Sequence, residues 1–292
     1  MSEAILKLGL PKGSLEEATI NLFARSGWKI SMRNRNYFPE INDPTITPRL
    51  CRPQEMAGYV AEGVLDAGLT GKDWVLESEA DVVVVADLVY SKASNRPARW
   101  VLAVAGDSPY LKPEDLAGKR VATEIMGLTQ RYFKERHIPV NVQYSWGATE
   151  GKVVEGLVDA IVEVTETGTT IRAHGLRIID DVLHTNTQLI ANRTAWADTA
   201  KRAKIEQITM LLQGALRAES LVGLKMNAPA ANLDAVLAIL PSLNSPTVAQ
   251  QQDPQWVSLE VVVSATLVRD LIPRLVQAGV EGIIEYALNK VI

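Results

Sequence analysis

Asp159 to Ile171 reads DAIVEVTETGTTI, and how that stretch is read decides the fold. Ala160-Ile161-Val162 is a buried strand, Glu163 marks its end, and Thr165, Thr167, Thr169 and Thr170 surround Gly168 just ahead of a helical segment. A strand feeding a helix through a tight loop is a βα unit. Gly168 permits close backbone approach, the N–H groups around it can form an anion nest, and a following helix adds its positive end. Such a loop suits a phosphate or phosphosugar. The same residues also make an ordinary strand-to-helix turn capped by threonine, and the loop alone leaves both readings open.

Outward from this unit the pattern repeats. Residues 5–10 read as a strand, Pro11-Lys12-Gly13 as a turn, and 14–26 as a helix with a Ser14/Glu17 capping box and Gly27 as its stop. Strand-like runs recur at 46–51, 65–70, 82–89, 100–105, 120–123 and 140–146, with helical candidates between most of them. This alternation gives α/β layers with largely parallel sheets. Polar passages at 90–97 and 180–186 mark two chain crossings, hence two lobes. After a strand at 188–192, a long helical pattern over 196–221 reads as a connector. Residues 222–286 then follow strand, helix, strand, strand, helix, strand, a ferredoxin-like βαββαβ order. The expected organisation is a discontinuous lobe I (1–97 and 185–220), lobe II (98–184) and a C-terminal domain (221–292).

The 292 residues carry a formal charge of −4 and 47% hydrophobic side chains, enough for several cores. With no long basic run, nucleic acid and anionic membrane surfaces are not expected as partners. Cys51 is the single cysteine, so no intrachain disulfide forms and a reducing, cytoplasmic setting is expected. No apolar run approaches membrane-spanning length, and no signal-peptide pattern is read at the start.

Chemistry-bearing groups collect where strands end. Lys12 and Gly13 put a cation and free donors ahead of a helix, although any tight βα turn favours such residues. Arg49, Arg52, Asp66, Gly68, Gly71, Lys72 and Asp73 gather around two further turns; a solvated loop with Asp73 as a cap is the alternative. Arg96 and Arg99 lie at the first crossing, Arg99 directly before the strand WVLAVA, where a guanidinium can reach an anion. Thr149 caps a helix with Glu150 in its first turn. Glu163 and Glu166 suit ribose hydroxyls or a water-mediated Mg²⁺. His137, His174 and His184 lack metal-ligand spacing, and Walker A, Gly-x-Gly-x-x-Gly and Gly-x-Ser-x-Gly patterns are absent.

Four segments together, LPKGSL (10–15), RPQEMAGYVAEGVLDAGLTGKDWV (52–75), WGATEGKVVEGLVDAIVEVTETGTTIRAHGL (146–176) and SPTVAQQQDPQWV (245–257), resemble ATP phosphoribosyltransferase in its long, histidine-regulated form. The resemblance implies a bilobal catalytic unit like a periplasmic-binding-protein fold, followed by a regulatory domain. It implies attack of adenine N1 of ATP on C1 of 5-phosphoribosyl 1-pyrophosphate (PRPP), with Mg²⁺ carried mainly by substrate phosphates rather than by a dedicated protein site. By analogy Thr165, Glu166, Thr167, Gly168, Thr169 and Thr170 hold the 5-phosphate and Glu163 the ribose. ATP lies near Lys12, Gly13, Arg52, Asp66, Gly71, Asp73, Arg99 and Glu150. The resemblance also implies feedback inhibition by histidine, with Thr247 as an effector-site candidate, AMP as a further nucleotide ligand, and a homo-oligomer of dimers or hexamers. Ser14 stands where many members carry arginine, and His174 where many carry asparagine; Arg49 or Lys12 would have to compensate for the first. A bilobal α/β frame alone also fits a solute-binding or sensor protein, or a catalytically silent regulatory subunit.

Overall fold

A computed structural model describes residues 5–32, 38–90, 97–241 and 245–292. The chain divides into two compact units, the second comprising Arg25–Gly27 and Met210–Ile292. In the first unit, β1 (Leu6–Pro11), α1 (Glu16–Ser26), the short pair β2 (Ile30–Ser31) and β3 (Glu40–Ile41), β4 (Ile46–Cys51), α2 (Pro53–Ala61), β5 (Ala67–Gly71), α3 (Lys72–Glu77) and β6 (Val83–Leu88) come first. They are followed by β7 (Ala98–Ala105), β8 (Arg120–Thr123), α4 (Met126–Glu135), β9 (Asn141–Tyr144), α5 (Thr149–Val154), β10 (Ala160–Thr165), α6 (Thr169–Ala173) and β11 (Leu176–Thr185). β12 (Thr187–Ala191) and α7 (Arg193–Ala197) come next, and α8 (Thr199–Ala218) runs into the second unit.

Two five-stranded sheets result, in the orders β4-β1-β5-β12-β6 and β9-β8-β10-β7-β11. They share one plan. Each has its second, first and third strands in parallel, then the strand arriving from the other lobe, antiparallel to both its neighbours. The two crossings, β6 to β7 and β11 to β12, therefore lie where the parallel strands of both sheets end. In WVLAVA, Trp100, Leu102 and Val104 enter one core and Val101 and Ala103 the other. A strand covered on both faces has no polar side to show, which explains its unbroken apolar run.

The polar passage at 180–186 holds the second crossing, at Asn186 between β11 and β12, but most of it is strand. Its residues through Thr185 complete β11, which pairs with β7 through two register shifts. Asp180 accepts from Tyr132 and Asp181 from Arg99, so partners replace the apolar signal that sequence reading relies on. The helix expected over 196–221 is likewise two helices: the side chain of Asn192 caps α7 by accepting from Ala195 N–H at 2.7 Å, and the chain turns at Asp198 before α8.

The second unit is built from β13 (Leu221–Pro229), α9 (Leu233–Ile239), β14 (Thr247–Gln250), β15 (Trp256–Ser264), α10 (Ala265–Gln277) and β16 (Glu281–Ala287). Its antiparallel sheet has the order β14-β15-β13-β16, the ferredoxin-like arrangement. Leu224, Met226, Val236, Leu259, Val261, Leu271 and Leu275 form its core. Among the described residues no helix is long and apolar enough to cross a membrane.

Candidate active site

The threonine loop sits at the end of β10, on the rim where parallel strands of an open sheet present ligands. Thr165 Oγ1 accepts from Gly168 N–H at 2.8 Å, and Thr167 and Thr169 share a hydroxyl hydrogen bond of 2.8 Å. Gly168 has φ +74°, a left-handed conformation that favours glycine, and a Cβ there would stand 2.8 Å from Arg172 Nη1 and displace that side chain. Arg172 Nη2 donates to Thr167 O at 2.9 Å and holds the loop's apex. The helix behind the loop, α6, is only five residues long. A macrodipole of that length is small, so what the loop could offer an anion is its own hydroxyl and N–H groups rather than a helix end. His174 ends α6, its Nδ1 2.9 Å from Thr170 O.

Beside the loop, Glu163 is half-buried, and burial pushes its carboxyl up to about 7 against the opposing pull of hydrogen bonds from Thr149 and from Val164 N–H. Glu150 and Glu124 add like-charge repulsion in the same direction. Glu124 escaped the sequence reading. Its signal was its position, one residue past the end of β8, which neighbours β10. Thr149 Oγ1 also lies 2.9 Å from Ser145 Oγ, tying the start of α5 to the end of β9. Arg99 is the cross-strand partner of Thr165, so it stands at the mouth of the loop; its Nη1 donates to Asp181 Oδ1 at 2.6 Å. Arg96 lies outside the described residues.

On the first lobe, Lys12, Gly13, Arg49, Arg52 and Glu55 line a cavity of about 770 Å³. Arg49, whose guanidinium stacks 4.6 Å from the Phe38 ring, thus shares a cavity with Lys12 close to Ser14. Cys51 lines it too, but burial pushes its thiol up to about 12, which leaves it protonated and inert.

Two residues grouped with these by sequence have their carboxylates engaged within the fold. Asp66 precedes β5, at the opposite end of the strand from Gly71; it accepts from Lys7 N–H at 2.8 Å and pairs with Lys201 Nζ at 2.7 Å. Asp73 is buried. Its Oδ2 accepts from Trp100 Nε1 at 2.7 Å and its Oδ1 from Thr185 Oγ1 at 3.0 Å, a staple from α3 to both β7 and β11. Gly71 serves that staple, since a Cβ at 71 would stand 2.0 Å from Asp73 Oδ1. A second tie runs nearby: Gly127 N–H and Leu128 N–H, at the start of α4, each donate at 2.8 Å to the Glu77 carboxylate. Among the described residues no group of three or more His, Cys, Asp or Glu is arranged to hold a metal ion.

Comparison with known proteins adds the following. The family model for HisG, ATP phosphoribosyltransferase, matches residues 52–214, and that for the HisG C-terminal domain matches 218–290. The chain is 74% identical over 288 residues to an ATP phosphoribosyltransferase of Nitratidesulfovibrio vulgaris (strain Miyazaki F), covering 99% of this chain and 98% of that one. It is 69% identical to that of Solidesulfovibrio magneticus, again over 99% and 98%. Among solved structures, a chain of the ATP phosphoribosyl transferase (HisG:HisZ) complex from Thermotoga maritima is similar with a TM-score of 0.61 and 30% identity, covering 72% of this chain and 97% of that one.

Proposed function

The chain belongs to the ATP phosphoribosyltransferase family, in its long form, and from that membership we propose how its residues divide the work. The enzyme carries out the first step of histidine biosynthesis, joining ATP to PRPP and releasing pyrophosphate, and feedback inhibition by histidine is standard for the family. The observation that carries the assignment of roles is the threonine loop of 165–170, set at a strand end beside Glu163 and Arg99.

In this reading the 5-phosphate of PRPP rests on Thr165, Glu166, Thr167, Gly168, Thr169 and Thr170, whose internal hydrogen bonds exchange for bonds to phosphate oxygens. Glu163 receives the ribose hydroxyls. Lys12, Gly13, Arg49 and Arg52 line the cationic cavity, which suits polyphosphate, and Glu150 and Arg99 face the nucleotide. Arg49 takes over the charge that Ser14 does not supply. Asp66 and Asp73 are left out, because their oxygens are engaged elsewhere.

The adenine N1 lone pair forms the bond to C1 of the ribose while the C1–oxygen bond breaks and its electron pair leaves with pyrophosphate. N1 carries no proton in adenine, so attack needs no general base. What the protein supplies is alignment and charge compensation. Mg²⁺ is carried mainly by the substrate phosphates, with Glu163 or Glu166 able to assist through water, since hard oxygen ligands suit that ion. When bound, that ion neutralises charge on the leaving group. A homo-oligomer of dimers or hexamers, AMP as a further ligand, and a reducing cytoplasmic setting for Cys51 complete the reading.

The test is to mix the purified protein with ATP, PRPP and Mg²⁺ and follow phosphoribosyl-ATP. Gly168→Val is expected to raise the PRPP KM at least about 10-fold, by crowding the phosphate and straining φ, with a much smaller effect on ATP. Equal losses for both substrates would count against the loop's role.

A further inference from the structure

Of the six tryptophans, Trp146 alone is exposed, with 90% of its surface open to water. Indoles are highly buried on average, because leaving one in water forgoes a large hydrophobic gain. Its backbone is held in place. Ser145 N–H donates to Thr123 O at 2.9 Å, extending the β8–β9 pairing beyond Tyr144, and Ser145 Oγ meets Thr149 Oγ1, which in turn bonds Glu163. The chain leaves Trp146 through Gly147 at φ +111° and Ala148 at φ +49°, the latter a left-handed conformation that disfavours a side chain by about 1–2 kcal/mol. Tyr144 supports the indole edge-on, ring centroids 4.6 Å apart at 71°. An aromatic plate thus stands on the rim, on backbone that adjoins the hydrogen-bond network of Ser145, Thr149 and Glu163.

We infer that Trp146 is the stacking platform for the adenine of ATP. The inference rests on the proposed function and adds a substrate contact to it. Attack through N1 occurs at the edge of the purine, in the ring plane, and leaves both faces of the base free to be gripped. With the ribose of PRPP at Glu163, the base must lie beside that residue, where Trp146 is anchored. At the first-lobe cavity the Phe38 ring already carries the Arg49 guanidinium, 4.6 Å from its centroid, and Tyr59 is far less open than Trp146.

Trp146→Ala is expected to raise the KM for ATP by about 5- to 100-fold, the usual range for losing one base–aromatic stack, while the KM for PRPP stays within about twofold. Trp146→Phe, which keeps a π face, should recover most of the loss. ATP should quench the emission of the wild-type protein, and that component should vanish in Trp146→Phe. An unchanged ATP KM, or equal shifts for the two substrates, overturns the inference. So does an oligomer that dissociates on Trp146→Ala without any ATP-specific effect, because the indole would then be covered by a second copy. If the wild type made no phosphoribosyl-ATP, the proposed function would fall, and the quenching titration would still read the stack by itself.

Discussion

Glu163 is a residue at which stability and function pull in opposite directions. Its carboxyl titrates near 7 in the folded chain against 4.5 ordinarily, because burial and the neighbouring Glu150 and Glu124 oppose its ionisation. Between those values the folded chain holds a proton that the unfolded chain has lost. Stability is therefore fully retained below about pH 4.5 and declines as pH rises through 7, by at most about 3 kcal/mol. Glu163→Gln removes that decline. The variant should melt several degrees higher than wild type at pH 8, the difference vanishing near pH 4.5, and should lose most of its kcat/KM for PRPP; thermal scans across pH and steady-state kinetics read the two effects. The position of Glu163 was legible in the sequence because an acid near a strand end before a Thr-Gly loop is a local pattern. The partners of Asp66 and Asp73 were not legible, for the converse reason. Adjacency in sequence says nothing about which end of β5 a side chain occupies, nor that an indole from the other lobe would claim a carboxylate.

Among the elements, the staple from α3 to β7 and β11 sets how the lobes meet within the first unit. Asp73, Trp100 and Thr185 are all buried, and each satisfies another's polar group. Asp73→Ala strands the Trp100 and Thr185 donors, so a loss of about 2–4 kcal/mol is expected. Combined with Thr185→Val, the losses should fall short of additivity by more than about 0.5 kcal/mol. Urea unfolding of the four proteins measures this, and strict additivity would mean that the hydrogen bonds are not coupled. The order of strands and helices was largely readable from alternation of apolar runs and turn residues. β11 was not, because its aspartates are paired in three dimensions and a bulged, half-exposed strand shows no clean period of two.

At the scale of the molecule, the second unit is where histidine sensitivity belongs in the family reading. Thr247 begins β14, the exposed edge strand of that unit's sheet. Thr247→Val is expected to raise the histidine concentration for half-inhibition by about 10-fold, equivalent to losing about 1.4 kcal/mol of effector binding; an inhibition curve measured beside the uninhibited rate decides it. The βαββαβ order of this unit was fully legible, since each of its elements carries its own period and turns. Both sheets of the first unit share one plan, but their assembly during synthesis differs. All five strands of β7–β11 lie in one uninterrupted stretch, whereas the earlier sheet lacks the strand between β5 and β6 until β12 is made. About a hundred residues separate the end of β6 from the end of β12, a delay of roughly 5–20 s at ordinary translation rates. The half of the catalytic unit that emerges first is therefore completed last, and on the ribosome the facing edges of β5 and β6 stay open to the wrong partner while the younger lobe is already closed.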